Sequence, residues 1–208
     1  KKKIRFTEIS EIDQALKERL TSHEHYDSIS ICGPTEPSLH PQFEELIVKV
    51  ADLRNEYRTG IPLCLFTNVS MLEGVCLEPL DFVFMKLDVG NEQMFEQFNR
   101  SRGIVFRDLV DAIKTTSVSK RIIQTMLAGG RDGNLAPAHI DDYVSVLREI
   151  EPDEVHLYSV LYAPLPNFNL VPATRSELND IAARVEKQVE CKALVFVEPV
   201  SVGEQFMY

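Results

Sequence analysis

The feature that most constrains this chain is a repeated alternation. A short apolar, β-rich run is followed by a loop and then by an amphipathic segment, five times in succession. Residues 28–32, 61–66, 81–87, 121–127 and 155–160 read as strands. The run at 81–87 is apolar on both sides, as in a parallel strand covered by helices. Between these runs, apolar residues recur at helical spacing. Ile9, Ile12, Leu16 and Leu20 form one stripe, with Thr7 or Ser10 as its cap. Phe43, Leu46, Ile47, Val50 and Ala51 form a second, in a helix opened by Pro41. A short helix is expected near 71–75, and helical periodicity resumes at 104–113. Ile140, Tyr143, Val144, Leu147 and Ile150 mark the next helix. Thr174-x-x-Glu177 is a capping box for a helix carrying Leu178, Ile181, Val185 and Val189. Residues 193–197 read as a last strand or an extended tail.

Alternation of this kind predicts an α/β fold with a parallel sheet or barrel. Right-handed crossovers then place every β-to-α loop on one edge, at the C-terminal ends of the strands. Five strands are too few for an eight-stranded barrel, so an open or partial barrel fits better. Beginning on a helix suggests a further strand upstream of Lys1. No domain boundary and no residue-level repeat is visible, so residues 1–208 read as one domain.

Composition narrows the partners. Lys and Arg total 22 against 32 Asp and Glu, a formal net charge of -10. That balance disfavours a nucleic-acid partner, whose phosphates dominate binding. No apolar run approaches the ~18 residues of a membrane span, so no membrane partner is expected. Lys1–Arg5 leads into a polar stretch rather than an apolar signal region. Cys32, Cys64, Cys76 and Cys191 show no C-x-x-C spacing, which points to a reduced, cytoplasmic setting.

Ligands in parallel α/β folds bind at the C-terminal strand edge, so the loops there hold the candidate site residues. Gly33-Pro34-Thr35-Glu36-Pro37 is the most unusual stretch. Its glycine permits a sharp turn, and its prolines stiffen the loop and remove two N–H donors. The result is a rigid loop rich in carbonyl acceptors, suited to an ammonium group, or else a plain β-to-α connection. Thr67 and Asn68 end the second strand, where such residues also cap the following helix or bond their own backbone. Lys86 and Asp88 close the third strand, on one face by alternation. A Lys between Met85 and Leu87 is partly desolvated, which suits either a Schiff-base lyase or an internal salt bridge. Asn99 and Arg100, then Arg131, Asp132 and Asn134, then Tyr162 and Asn167 follow in the later loops. Residues 129–134 are glycine-rich but match no nucleotide-binding fingerprint. Of five histidines only His40, beside the first loop, stands near these groups, and none has zinc spacing. Cys32 reads as a buried structural thiol. No residue is singled out as catalytic and no metal ligand is identified.

In order and spacing these loops resemble the radical S-adenosylmethionine (SAM) superfamily, over nearly all of the chain. Gly33–Pro37 is similar to that family's G-x-G-E-P segment, and "LFTNVSML" to its strand ending in T-N-G. "FMKLDVGNEQMFEQFNR" resembles a strand with a polar residue and Asp two apart, then a segment ending in N-R. "TMLAGGRDGN" and "PDEVHLYSVLYAPLP" resemble the two strands after it. The nearest likeness is to activating-enzyme-like and wyosine-like iron–sulfur oxidoreductases.

The resemblance implies a partial (βα)6 TIM-like barrel. It implies a 4Fe-4S cluster that reductively cleaves SAM, giving a 5′-deoxyadenosyl radical that abstracts hydrogen from a substrate. By position, Gly33, Thr35 and Glu36 would meet the SAM ammonium, mainly through backbone carbonyls, and Thr67 and Asn68 would lie near SAM. Lys86 and Asp88 would approach its carboxylate or ribose, with Asn99 and Arg100 as further candidates; Val160 and Leu161 would border the adenine. The implied partners are a protein, peptide or small-molecule substrate and an electron donor such as flavodoxin or ferredoxin. Thr35 and Val69 stand where the family has glycine. No C-x-x-x-C-x-x-C occurs in the sequence, so the first strand and the cluster loop are expected upstream of Lys1. The other reading is a cluster-less SAM-binding or regulatory module.

Overall fold

A computed structural model describes residues 6–101, 103–160 and 169–197. These residues form α1 (Ile9–Leu20), β1 (Ile29–Ile31), α2 (Phe43–Tyr57), β2 (Leu63–Thr67), β3 (Phe82–Lys86), α3 (Glu92–Met94) and α4 (Phe106–Thr115). They continue through β4 (Arg121–Gly129), α5 (Pro137–Ile150), β5 (Glu154–Ser159), β6 (Val171–Pro172), α6 (Arg175–Val189) and β7 (Lys192–Phe196). The fold is α/β with mainly parallel strand pairing, as the alternation predicts. All five expected strands form, and the segment near 193–197 is a strand rather than a tail. No helix of the described residues is long and apolar enough to cross a membrane.

The described residues pack as two compact units, residues 6–86 with 103–123, and residues 87–101 with 124–160 and 169–197. In the first, β1 pairs parallel with β2 and β2 parallel with β3. The stripe of α2 buries Phe43, Leu46, Ile47, Val50, Ala51 and Leu53. Full burial of such side chains stabilises by roughly 1.5–3 kcal/mol each. In the second, β5 pairs parallel with β7, and β6 pairs antiparallel with β4. β6 is an addition to the sequence reading. Its two residues lie on Ala128 and Gly129, and Ala173 just beyond donates its N–H to Ser159 Oγ at 2.7 Å.

Four local expectations are corrected. Neither Thr7 nor Ser10 caps α1; Glu8 stands at the cap, and its carbonyl accepts from Glu11 and Ile12 N–H. Pro41 does not open α2, because His40 Nδ1 accepts from Gln42 N–H at 3.1 Å and holds a turn there. The helix therefore starts at Phe43. Residues 71–75 are turns instead of a helix, since Val69 and Gly74 take φ of 57° and 75°, outside the helical region. Finally, Phe82, Phe84 and Lys86 of β3 are only half-buried, while Val83 and Met85 are buried. On that half-open face Phe84 stacks on its cross-strand neighbour Phe66, with ring centroids 4.6 Å apart. The capping box of α6 forms as read, with Thr174 and Glu177 each accepting from the other's backbone.

Candidate functional site

Two polar clusters stand beside the C-terminal ends of strands, one in each unit. The first joins the loop after β1 to the turn after β2. Gly33 and Thr35 are exposed, Glu36 is half-buried and Thr67 is buried. Glu36 gathers these segments. Its Oε1 accepts from Thr67 Oγ1 at 2.7 Å, from Ser38 Oγ at 2.7 Å and from Ser38 N–H at 3.3 Å. Its Oε2 accepts from Asn68 N–H at 2.7 Å. Charge-assisted bonds of this kind are about twice as strong as neutral ones. Thr67 Oγ1 in turn accepts from Val69 N–H at 2.9 Å. Asn68 closes the turn by accepting from Ser70 N–H and Ser70 Oγ. Val69, buried and β-branched, sits in the left-handed region at φ 57°. That conformation costs a non-glycine residue about 1–2 kcal/mol.

Lys86 ends β3 half-exposed. Cys32 follows β1 and is exposed, not buried as the sequence suggested, because β1 ends at Ile31 and the chain there has already left the sheet. His40 is structural: its Nε2 lies 3.0 Å from Thr7 O, and its ring meets Phe6 edge-on at 5.3 Å.

The second cluster is built on Asp88, which is buried. Its Oδ1 accepts from Met126 N–H at 2.7 Å, and its Oδ2 accepts from Asn99 Nδ2 at 2.8 Å. Asn99 closes the π-helical turn Phe95–Asn99, and exposed Arg100 follows it in the left-handed region at φ 51°. Asn134, 2% exposed, donates Nδ2–H to the Asp88 and Met126 carbonyls and accepts from Ala128 N–H. Below them Thr125 donates to Leu87 O and shares a hydrogen bond with Tyr143 Oη. Burial pushes the Tyr143 phenol far above its ordinary value, so it stays protonated. Asp132 is held below the usual carboxylate range, chiefly by Arg131 and then by Asn169 N–H. Its role is to bind residue 169 to the loop after β4.

The structure thus brings Glu36, Thr67 and Asn68 together, and Asp88 together with Asn99. Val160 is half-buried; Leu161, Tyr162 and Asn167 lie outside the described residues. The sequence reading missed one group altogether. Glu154 Oε2 lies 3.2 Å from His156 Nε2, Glu154 Oε1 lies 3.4 Å from Lys192 Nζ, and His156 packs on Phe196. Alternation at Glu154 and His156 was the available signal, but their partners come from β7 through strand register. Among the described residues no group of three or more Cys, His, Asp or Glu side chains could hold a metal. The four thiols are scattered and unpaired, so the described residues do not fit a 4Fe-4S cluster.

Comparison with solved structures finds this fold in radical SAM enzymes. The structure of TYW1 with a lysine-pyruvate adduct bound superposes with a TM-score of 0.64 at 14% identity, over 86% of this chain and 61% of that one. A radical SAM methyltransferase from Sphaerobacter thermophilus gives 0.63 at 15% identity, over 90% and 56%. Streptococcus suis SuiB bound to S-adenosylmethionine gives 0.64 at 14% identity, over 97% and 46%. The chain therefore has the fold of the radical SAM enzymes, the partial TIM-like barrel that its motifs imply. It spans between about half and three fifths of the length of these three neighbours. No family model and no curated protein matches it.

Proposed function

We propose that this chain is the SAM-binding core of a radical SAM enzyme, which cleaves SAM reductively and uses the 5′-deoxyadenosyl radical to abstract hydrogen from its substrate. The observation that carries the reading is the pair of strand-end loops joined through Glu36, at the positions where the resemblance puts the SAM methionine. In this reading residues 1–208 act as one core domain. The carbonyls of Gly33, Thr35 and Glu36 orient the ammonium, and Thr67 and Asn68 border the ligand. Lys86, Asp88, Asn99 and Arg100 serve its carboxylate and ribose. SuiB has been solved bound to a precursor peptide, which supports a peptide as one substrate class, beside a small molecule.

The thiolates for a 4Fe-4S cluster are sought outside the described residues, so no reductive step is assigned to the side chains above. A second reading draws on that same observation: a SAM-binding module without a cluster. Anaerobic reconstitution of the full-length gene product separates the two. About four irons per chain and 5′-deoxyadenosine release from SAM under reducing conditions support the enzyme. SAM binding without iron supports the module, and neither iron nor SAM binding overturns both.

A further inference from the structure

Glu36 stands where the family resemblance would put a ligand contact, yet both oxygens of its carboxylate are engaged by this chain. Four donors converge on its two oxygens, from Ser38 on its own loop and from Thr67 and Asn68 across the gap. The route continues one step further. Thr67 Oγ1–H donates to Glu36, and the same oxygen accepts from Val69 N–H. Val69 is 1% exposed and left-handed, in a turn where the resemblance leads one to expect glycine. Glycine adopts φ above zero without help; a buried β-branched residue does so only when its surroundings fix it. The hydrogen-bonded chain from Glu36 through Thr67 to Val69 is such a fixture. Burial of the valine side chain supplies the rest.

We propose that the Glu36 carboxylate is a positioning residue: it acts on the ligand only by holding the Thr67–Ser70 turn in its left-handed form, which the valine at 69 makes dependent on the tie. The effect on SAM rests on the proposed function; the tie itself does not. If Glu36 works through Val69, replacing that valine by glycine weakens the dependence on Glu36. If the carboxylate touches SAM directly, the residue at 69 is irrelevant to it.

The test is a double-mutant cycle on the full-length, anaerobically reconstituted protein, with SAM as the probe in calorimetry. Glu36→Gln replaces one acceptor oxygen by an NH2 group, so the side chain can no longer accept from Asn68 N–H on one side and from the Ser38 and Thr67 donors on the other. In the Val69 background it should raise the SAM Kd about tenfold, as loss of a charge-assisted bond predicts. In the Val69→Gly background the same change should raise Kd less than about threefold. Equal losses in both backgrounds overturn the proposal. Thr67→Val should reproduce the Glu36→Gln loss, and Thr67→Ser, which keeps the hydroxyl, should restore the affinity; loss in both variants overturns the relay. The thermal midpoints of the same four proteins form a second cycle that needs no ligand. Coupling there with no SAM binding by the parent protein leaves the tie standing and removes the function. SAM binding with additive midpoints and equal Kd losses does the reverse.

Discussion

Replacement of Asn134 by alanine should be among the most damaging single changes in this protein. The side chain is 2% exposed and makes three hydrogen bonds, to Asp88 O at 2.7 Å, to Met126 O at 2.9 Å and from Ala128 N–H at 2.9 Å. Its backbone adds a fourth, donating to Ala128 O. Alanine removes the first three at once. Each net bond is worth about 1 kcal/mol, and a buried donor left unpaired costs about 1–3 kcal/mol. The Ala128 N–H would be left in that position, so the total loss comes to about 3–5 kcal/mol. For a chain of this length that corresponds to a fall of roughly 10 °C in Tm. Urea titration followed by far-UV circular dichroism reads it as a lower midpoint at unchanged slope. Asn134→Asp keeps the acceptor but turns a carboxylate oxygen toward two carbonyls, so it should cost at least as much at neutral pH. A loss below about 1 kcal/mol for Asn134→Ala would refute the claim that this residue fastens the strand-end network.

Three further outcomes follow from the same kind of reasoning. Burial tends to raise the Asp81 carboxyl, but Leu63 N–H and Arg54 outweigh it and hold the group below its ordinary value. Its contribution to stability is therefore full above about pH 4 and is lost as pH falls through the depressed folded value. Asp81→Asn should flatten the acid limb of stability against pH, and an unchanged limb would remove Asp81 as a cause. Burial pushes the Cys191 thiol up to about 11 and raises Cys64 as well, whereas Cys32 and Cys76 are exposed. Iodoacetamide at pH 8 should label Cys32 and Cys76 first, with all four reacting in urea, as peptide mass mapping would show; Cys191 reacting as fast as Cys76 contradicts this. A Cβ at Gly90 would lie 2.1 Å from Tyr143 N and 2.2 Å from Asp142 C, both backbone atoms of α5. Gly90→Ala should destabilise by about 2 kcal/mol or more in urea, and a neutral result would mean that this approach is looser than the structure has it.

Much of the fold was legible because its signals are local. The α6 capping box needs only Thr174 and Glu177, three residues apart, and both residues behave as read. Strand positions followed from apolar runs, whose burial is decided by composition more than by partners. Where the reading slipped, a distant group had intervened or the backbone had left its ordinary region. Pro41 satisfied the rule for a first helical residue, but the preceding His40 closes a turn there and itself reaches back to Thr7, 33 residues away. The helix expected at 71–75 had suitable residues and was prevented by two positive φ angles, which composition does not announce at a valine.

The candidate site shows the same division more sharply. The residues of the first cluster were legible as types, since a glutamate after one strand and Thr-Asn after the next are local facts. Their relation was not. Glu36 and Thr67 are 31 residues apart, and their hydrogen bond exists because β1 and β2 are paired parallel with Ile31 level with Leu65. Parallel pairing carries both loops past the same sheet edge, so a carboxylate in one can reach the hydroxyl and the N–H in the other. That geometry changes what the glutamate does. In the fold its carboxylate accepts from Ser38 on its own loop and from Thr67 and Asn68 of the neighbouring turn. What the loops can still offer a ligand is then mainly backbone, whose placement depends on the tie. The departure from glycine at 69 belongs to the same argument. A turn that has lost its intrinsically permissive residue needs an external constraint, and the only ionised group bonded into it among the described residues is Glu36.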